Sequence, residues 1–154
     1  MKKKRPLPAV EVFSTTEAGV SPVSIKRLAE HVLKEEGAKG IRRVSVILVN
    51  NREIRELNSR FLKKNRPTDV MSFPLDGPDG RTGEVYASVD MAKDQAVRFA
   101  VSLGEELSRL VIHGILHLLG YDDRHPNPRK IMKAREEHHL RTGPLARIKA
   151  KSNM

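Results

Sequence analysis

His113-Gly114-Ile115-Leu116-His117-Leu118-Leu119-Gly120-Tyr121-Asp122-Asp123, with His125 close behind, is the stretch on which the reading of this chain turns. Two histidines four positions apart on a helix lie about 40° apart around its axis, so both imidazoles can reach one ion. Gly120 suits a left-handed position that stops the helix and turns the chain back toward the histidine face. Asp123 or His125 can then complete a three-ligand site with a fourth position left for water. Leu110, Val111, Ile112, Ile115, Leu116, Leu118 and Leu119 make the segment apolar nearly all round, as in a buried central helix. A lone histidine there would read as core. A pair at this spacing, followed by a breaking glycine and a further donor, reads as a metal grip.

Zinc proteases with histidines at this spacing carry a glutamate directly after the first, as general base for the attacking water. Here that position is Gly114. The motif therefore predicts hydrolysis by a water that the metal acidifies, without the peptidase base.

A chain of 154 residues is the size of one ordinary domain, taken here as residues 1–154 with basic ends, 1–6 and 145–154, expected to fray. With 29 Lys+Arg against 19 Asp+Glu the net charge is +10, which favours an anionic partner, nucleic acid before a membrane surface. Cysteine is absent, so any metal must use histidine, carboxylate and water, and a cytoplasmic location fits. Met1-Lys2-Lys3-Lys4-Arg5 resembles the start of a signal peptide, but no apolar run follows that could serve as its core or span a bilayer.

Working outward, Pro8 to Phe13 alternates as a short strand, and Ser21-Pro22 opens a helix whose stripe is Ile25, Leu28, Ala29, Val32 and Leu33, closed by Gly37. His31 reads as a boundary residue of that stripe. Val44 to Val49 is a β-branched strand, and Asn50-Asn51 caps a helix bearing Ile54, Leu57, Phe61 and Leu62. Lys63-Lys64-Asn65-Arg66-Pro67 breaks it with positive charge suited to phosphates, so Lys63, Lys64 and Arg66 are candidate RNA contacts. A strand from Thr68 to Phe73, ended by Pro74, and one from Glu84 to Val89 form a hairpin across Asp76-Gly77-Pro78-Asp79-Gly80. Asp90 caps a third helix with Met91 and Phe99 in the core, and Gly104 separates it from the histidine helix, Glu105 to Leu119. After Pro126 and Pro128 a charged helix turns Ile131, Met132 and Leu140 inward. Its adjacent His138 and His139 lack the spacing to share an ion. The order is strand, helix, strand, helix, strand, strand and three helices. An α+β fold is expected, a small mixed sheet covered by helices around the buried metal-ligand helix.

These residues resemble the YbeY family of endoribonucleases, once classed as predicted metal-dependent hydrolases. The family signature His-Gly-x-Leu-His-Leu-x-Gly-Tyr-Asp-His is matched from His113 through Asp122 at every specified position. Its second block is matched by Leu57-Asn58 and by Pro67-Thr68-Asp69-Val70-Met71-Ser72-Phe73-Pro74, with methionine for leucine, and Gly83-Glu84-Val85 resembles its Gly-Asp-Ile. Two positions depart. Alignment sets Asp123 where the family has its third histidine, which favours Asp123 over His125, and Leu62 stands where the family carries an arginine implicated in activity.

The resemblance implies a metzincin-type metallohydrolase fold and one Zn2+ held by His113, His117 and Asp123. It implies a single-strand-specific endoribonuclease of ribosomal RNA maturation, notably at the small-subunit RNA 3′ end, and of ribosome quality control. Precursor ribosomal RNA, small-subunit components and an assembly GTPase are the implied partners. The expected chemistry is polarisation of a scissile phosphate, with water or the RNA's own 2′-OH as nucleophile. Two other readings stay open: a peptidase-like hydrolase, and a non-catalytic RNA- or ribosome-binding factor with structural zinc.

Overall fold

The computed structural model describes residues 6–38, 40–62 and 68–144. Within them the order is the one the hydrophobic patterns predict: β1 (Ala9–Ser14), α1 (Pro22–Glu35), β2 (Ile41–Val49), α2 (Asn51–Leu62), β3 (Val70–Gly77), β4 (Gly80–Ser88), α3 (Val89–Phe99), α4 (Leu103–Leu118) and α5 (Pro126–Thr142). The sheet runs β1-β2-β4-β3; β1, β2 and β4 are parallel, and β3 returns antiparallel to β4 as the expected hairpin. No helix among the described residues is long and apolar enough to cross a membrane.

Alternation along the strands divides the apolar residues between two faces. Val44, Val46 and Leu48 of β2 and Val85 and Ala87 of β4 join Ile25, Leu28 and Val32 of α1 and the apolar side of α4 in the main core. On the opposite face Val49 and Met71 pack with Ile54 of α2, flanked by Ile47, Leu57, Phe73 and Tyr86. The second half of β2 is covered on both sides, which is why it reads as a continuous β-branched run.

α4 is the hub, touching α1, α3, α5, β3 and β4. The Ser102 side chain accepts the Glu105 N–H at 3.1 Å, and Glu105 and Glu106 set negative charge in the first turn, where the helix dipole favours it. Gly120 adopts φ 99°, and the Gly120 and Tyr121 N–H groups donate to the His117 and Leu116 carbonyls at 3.1 and 3.0 Å, a paired C-terminal lock. At Gly114 the helix lies so close to the sheet that a Cβ would stand 2.4 Å from Val85 Cγ1. The Ser72 hydroxyl, on β3, donates to the Gly114 carbonyl at 2.8 Å. From Glu106 to Leu118 every residue is buried except Arg109, His113 and His117, spaced four apart along one stripe.

Several local expectations are corrected. β3 does not stop at Pro74; it continues to Gly77 with Pro74 opposite Gly83, tolerated because β3 is an edge strand and needs no outward N–H. Ser88, not Asp90, caps α3 by accepting the Met91 N–H at 3.1 Å, while Asp90 accepts the Asn51 N–H at 2.8 Å at the start of α2. Gly104 lies inside the first turn of α4 rather than between helices. Phe99 is exposed, the last residue of α3 before Ala100 turns left-handed, and Met91 is only partly buried. Ile131 is exposed too: the inward stripe of α5 is Met132, Glu136 and His139, and Ile131 sits about 100° away from it.

Candidate metal centre

His113 and His117 project from the exposed stripe of α4, and the turn that follows Gly120 brings Asp123 back over them. The two Nε2 atoms are 3.1 Å apart, and Asp123 Oδ2 lies 3.3 Å from each. A tetrahedral zinc with bonds of about 2.0–2.1 Å requires its ligand atoms to be about 3.3 Å apart. The three atoms thus stand at three corners of such a tetrahedron, and the donor set of two imidazoles and a carboxylate suits zinc. His125 is turned away. Its Nδ1 meets Asp122 Oδ2 at 2.8 Å, and the Arg124 backbone N–H together with His125 holds the Asp122 carboxyl down to about 2.

The ring of His113 is oriented from behind. Glu136 of α5 accepts from Nδ1 at 2.9 Å, which leaves the Nε2 lone pair facing the ligand triangle. Burial favours the neutral ring, but the Glu136 carboxylate, reinforced by Asp123 and Asp69, outweighs it and holds the His113 pKa above its ordinary value. Arg109, the third residue of the α4 stripe, donates to Glu137 at 2.7 Å and lies 3.8 Å from Glu136. Beside it the carboxyl of Glu106 is pushed up by burial.

Two clefts open onto the triangle. One of about 760 Å³ runs along β3, bounded by Thr68 to Pro74, Met91 and Gln95 as well as His113, His117 and Asp123. The other, about 480 Å³, lies between α4 and α5 and shares His113 and Asp123. A site reached from both sides, with two imidazole nitrogens and one carboxylate converging, can hold a divalent cation and present it to a bound polymer.

The model of the family described as endoribonuclease YbeY matches residues 12–143. The chain belongs to the YbeY family. An endoribonuclease YbeY from Chlorobium phaeovibrioides is 36% identical over 132 residues, 86% of this chain and 88% of the relative. One from Aquifex aeolicus is 45% identical over 101 residues, covering 64% of this chain and 67% of its own length. The solution structure of TM1509 from Thermotoga maritima superposes with a TM-score of 0.64 at 32% identity, covering 86% of this chain and 87% of that one.

In this YbeY-family chain the second sequence block has a clear place, since Thr68 to Pro74 forms the wall of the larger cleft. Gln95 donates to Asp69 Oδ2 at 3.4 Å on that wall. Lys63, Lys64 and Arg66, together with residues 1–5 and 145–154 and the side chain of Leu62, lie outside the described residues. Glu136 was missed by sequence reasoning; it is 23 residues from its histidine on another helix, and only the inward phase shared with Met132 signals it.

A second group converges elsewhere. His31, Glu35 and His139 each place a ligand atom within 4.8 Å of the others. Several of its polar atoms are already engaged: His139 Nε2 meets Glu36 at 2.6 Å, His138 Nε2 meets Glu35 at 2.7 Å, and His31 Nε2 meets the Thr142 hydroxyl at 3.2 Å, while His139 Nδ1 is buried without a hydrogen-bond partner among the described residues. Arg135 and the Tyr121 hydroxyl also donate to Glu36. The group clasps α1 to α5 and to the turn after Gly120.

Proposed function

We propose that this protein is a zinc-dependent, single-strand-specific endoribonuclease that acts on ribosomal RNA precursors in the cytoplasm. The observation that carries it is the ligand triangle of His113, His117 and Asp123, dimensioned for zinc and open to two clefts. Family membership supplies the reaction class, and a net charge of +10 suits an RNA substrate. The finer assignment follows the family: one domain of metzincin type, maturation near the small-subunit RNA 3′ end, ribosome quality control, and contacts with small-subunit components and an assembly GTPase.

When bound, zinc would supply a Lewis acid for a phosphate oxygen and acidify water, and His113, His117 and Asp123 would hold it. The chain's own residues do the rest. Glu136 keeps the His113 proton on Nδ1, so that Nε2 faces the site with a free electron pair. The Gly120 turn carries Asp123 to its corner, where its carboxylate would partly neutralise a bound dication. The β3 wall offers a cleft of about 760 Å³, and Lys63, Lys64 and Arg66, which precede β3 in the sequence, would contact phosphates.

Gly114 disfavours the peptidase reading, because its Cα faces Val85 and not the cleft, leaving no room for a glutamate base there. Leu62, in place of the family's arginine, favours the non-catalytic reading, in which the same zinc is structural. Cleavage assays on unstructured RNA with zinc-loaded wild type and with His113→Ala and His117→Ala variants discriminate between them. Cleavage that disappears with the zinc in both variants supports the nuclease. An intact, zinc-loaded wild type that cuts no RNA would leave the binding factor.

A further inference from the structure

The smaller cleft, between α4 and α5, is bounded by Arg109, His113, Asp123, Arg129, Lys133 and Glu136. Arg129 and Lys133 stand four residues apart on α5, which puts them on one face of the helix, and both are exposed. Three arginines near them are already committed. Arg109 is bonded to Glu137 at 2.7 Å, Arg124 to Asp122 at 3.3 Å and Arg135 to Glu36 at 2.7 Å. Among the described residues no carboxylate lies within ion-pairing distance of Arg129 or Lys133. The carboxylates that share their cleft are held elsewhere, Glu136 by His113 and Asp123 by both histidines of the triangle.

We propose that Arg129 and Lys133 form a phosphate-binding subsite that holds the backbone of single-stranded RNA on the α5 side of the metal centre. The inference rests on the ribonuclease reading and deepens it. An unpaired guanidinium and an unpaired ammonium one helical turn apart repel each other weakly in water and together attract a polyanion, and a phosphodiester matches both the fork of arginine and the point charge of lysine. The subsite also answers a specific gap in this chain. Leu62 stands where the family carries an arginine, so this chain lacks that charge, and a positive contact on α5 supplies backbone grip beside the metal centre. A strand lying along β3, crossing the triangle and leaving over α5 would touch both clefts at once.

The test measures binding rather than cleavage. Zinc-loaded protein is titrated into a fluorescent single-stranded RNA whose 2′-hydroxyls are methylated, over a series of salt concentrations. Arg129→Ala/Lys133→Ala should keep its zinc, weaken binding on the order of tenfold, and flatten the slope of log affinity against log salt by about 1.4, about 0.7 for each phosphate no longer neutralised. Arg129→Lys/Lys133→Arg should restore most of both. Lys26→Ala/Arg27→Ala, on α1, removes the same charge and should do neither. Affinity and slope equal to those of the α1 variant would overturn the subsite while leaving the ribonuclease reading in place. A wild type that binds no RNA at all would overturn that reading and the subsite with it.

Discussion

Gly114 is the residue at which the metal helix and the sheet constrain each other most. A methyl group there would meet Val85 Cγ1 at 2.4 Å and Val70 Cγ2 at 3.1 Å, so Gly114→Ala sets an overpacking cost of about 1–3 kcal/mol against a helix-propensity gain of about 1 kcal/mol. A net loss of stability in denaturant unfolding is expected; a stabilised variant would mean that the helix stands farther from the sheet. Glu136→Gln keeps the shape beside His113 and removes the charge. Zinc affinity should fall by about 10- to 100-fold, read by competition with a chelator, with the fold retained. The same carboxylate fixes a pH dependence. Because the His113 pKa is raised in the fold, its protonation stabilises the zinc-free protein below the unfolded-state pKa, and that contribution is lost as pH rises through the folded value. Zinc needs the unprotonated Nε2, so its affinity should drop on acidification beginning above the ordinary histidine pKa, and Glu136→Gln should move that drop to lower pH. An unmoved titration would show that Glu136 does not govern the ring.

At the scale of elements, the most consequential is the turn that ends α4. Gly120 holds φ 99°, which an L-residue adopts only with strain, and the Tyr121 N–H bond to Leu116 depends on it. Gly120→Ala should cost about 1–2 kcal/mol in thermal unfolding and weaken zinc binding as well, because Asp123 is delivered by this turn. Equal zinc affinity in the variant would detach Asp123 from the turn. The lock, the helix it ends and the histidine pair were legible in the sequence because each is encoded within a few neighbouring residues. Phe99 and Ile131 were misread for a physical reason: local apolar character does not reveal where a helix outruns its neighbour or which side it turns. Pro74 was misread because edge position is set by the pairing of distant strands. Glu136 and the His31–His139 contact depend on α5 folding back onto α4 and α1, and no local pattern announces that.

For the whole molecule, charge and fold meet at the metal. A net charge of +10 on 154 residues biases every encounter toward polyanions, and among the described residues Arg109, Arg124 and Arg135 near the centre are each paired with a carboxylate. The zinc-loaded protein should bind unstructured RNA with strong salt dependence, and Lys63→Ala/Lys64→Ala/Arg66→Ala should lower that affinity without changing zinc content. An affinity indifferent to salt would argue against backbone recognition. The central claim, that two imidazoles and a carboxylate hold one ion with a position left open, is tested most directly by anomalous diffraction at the zinc edge from zinc-loaded crystals. The account predicts an ion bonded to His113 Nε2, His117 Nε2 and Asp123 Oδ2 with solvent at the remaining position; an ion closed off by a fourth protein ligand such as His125, or no ion between these residues, would contradict it.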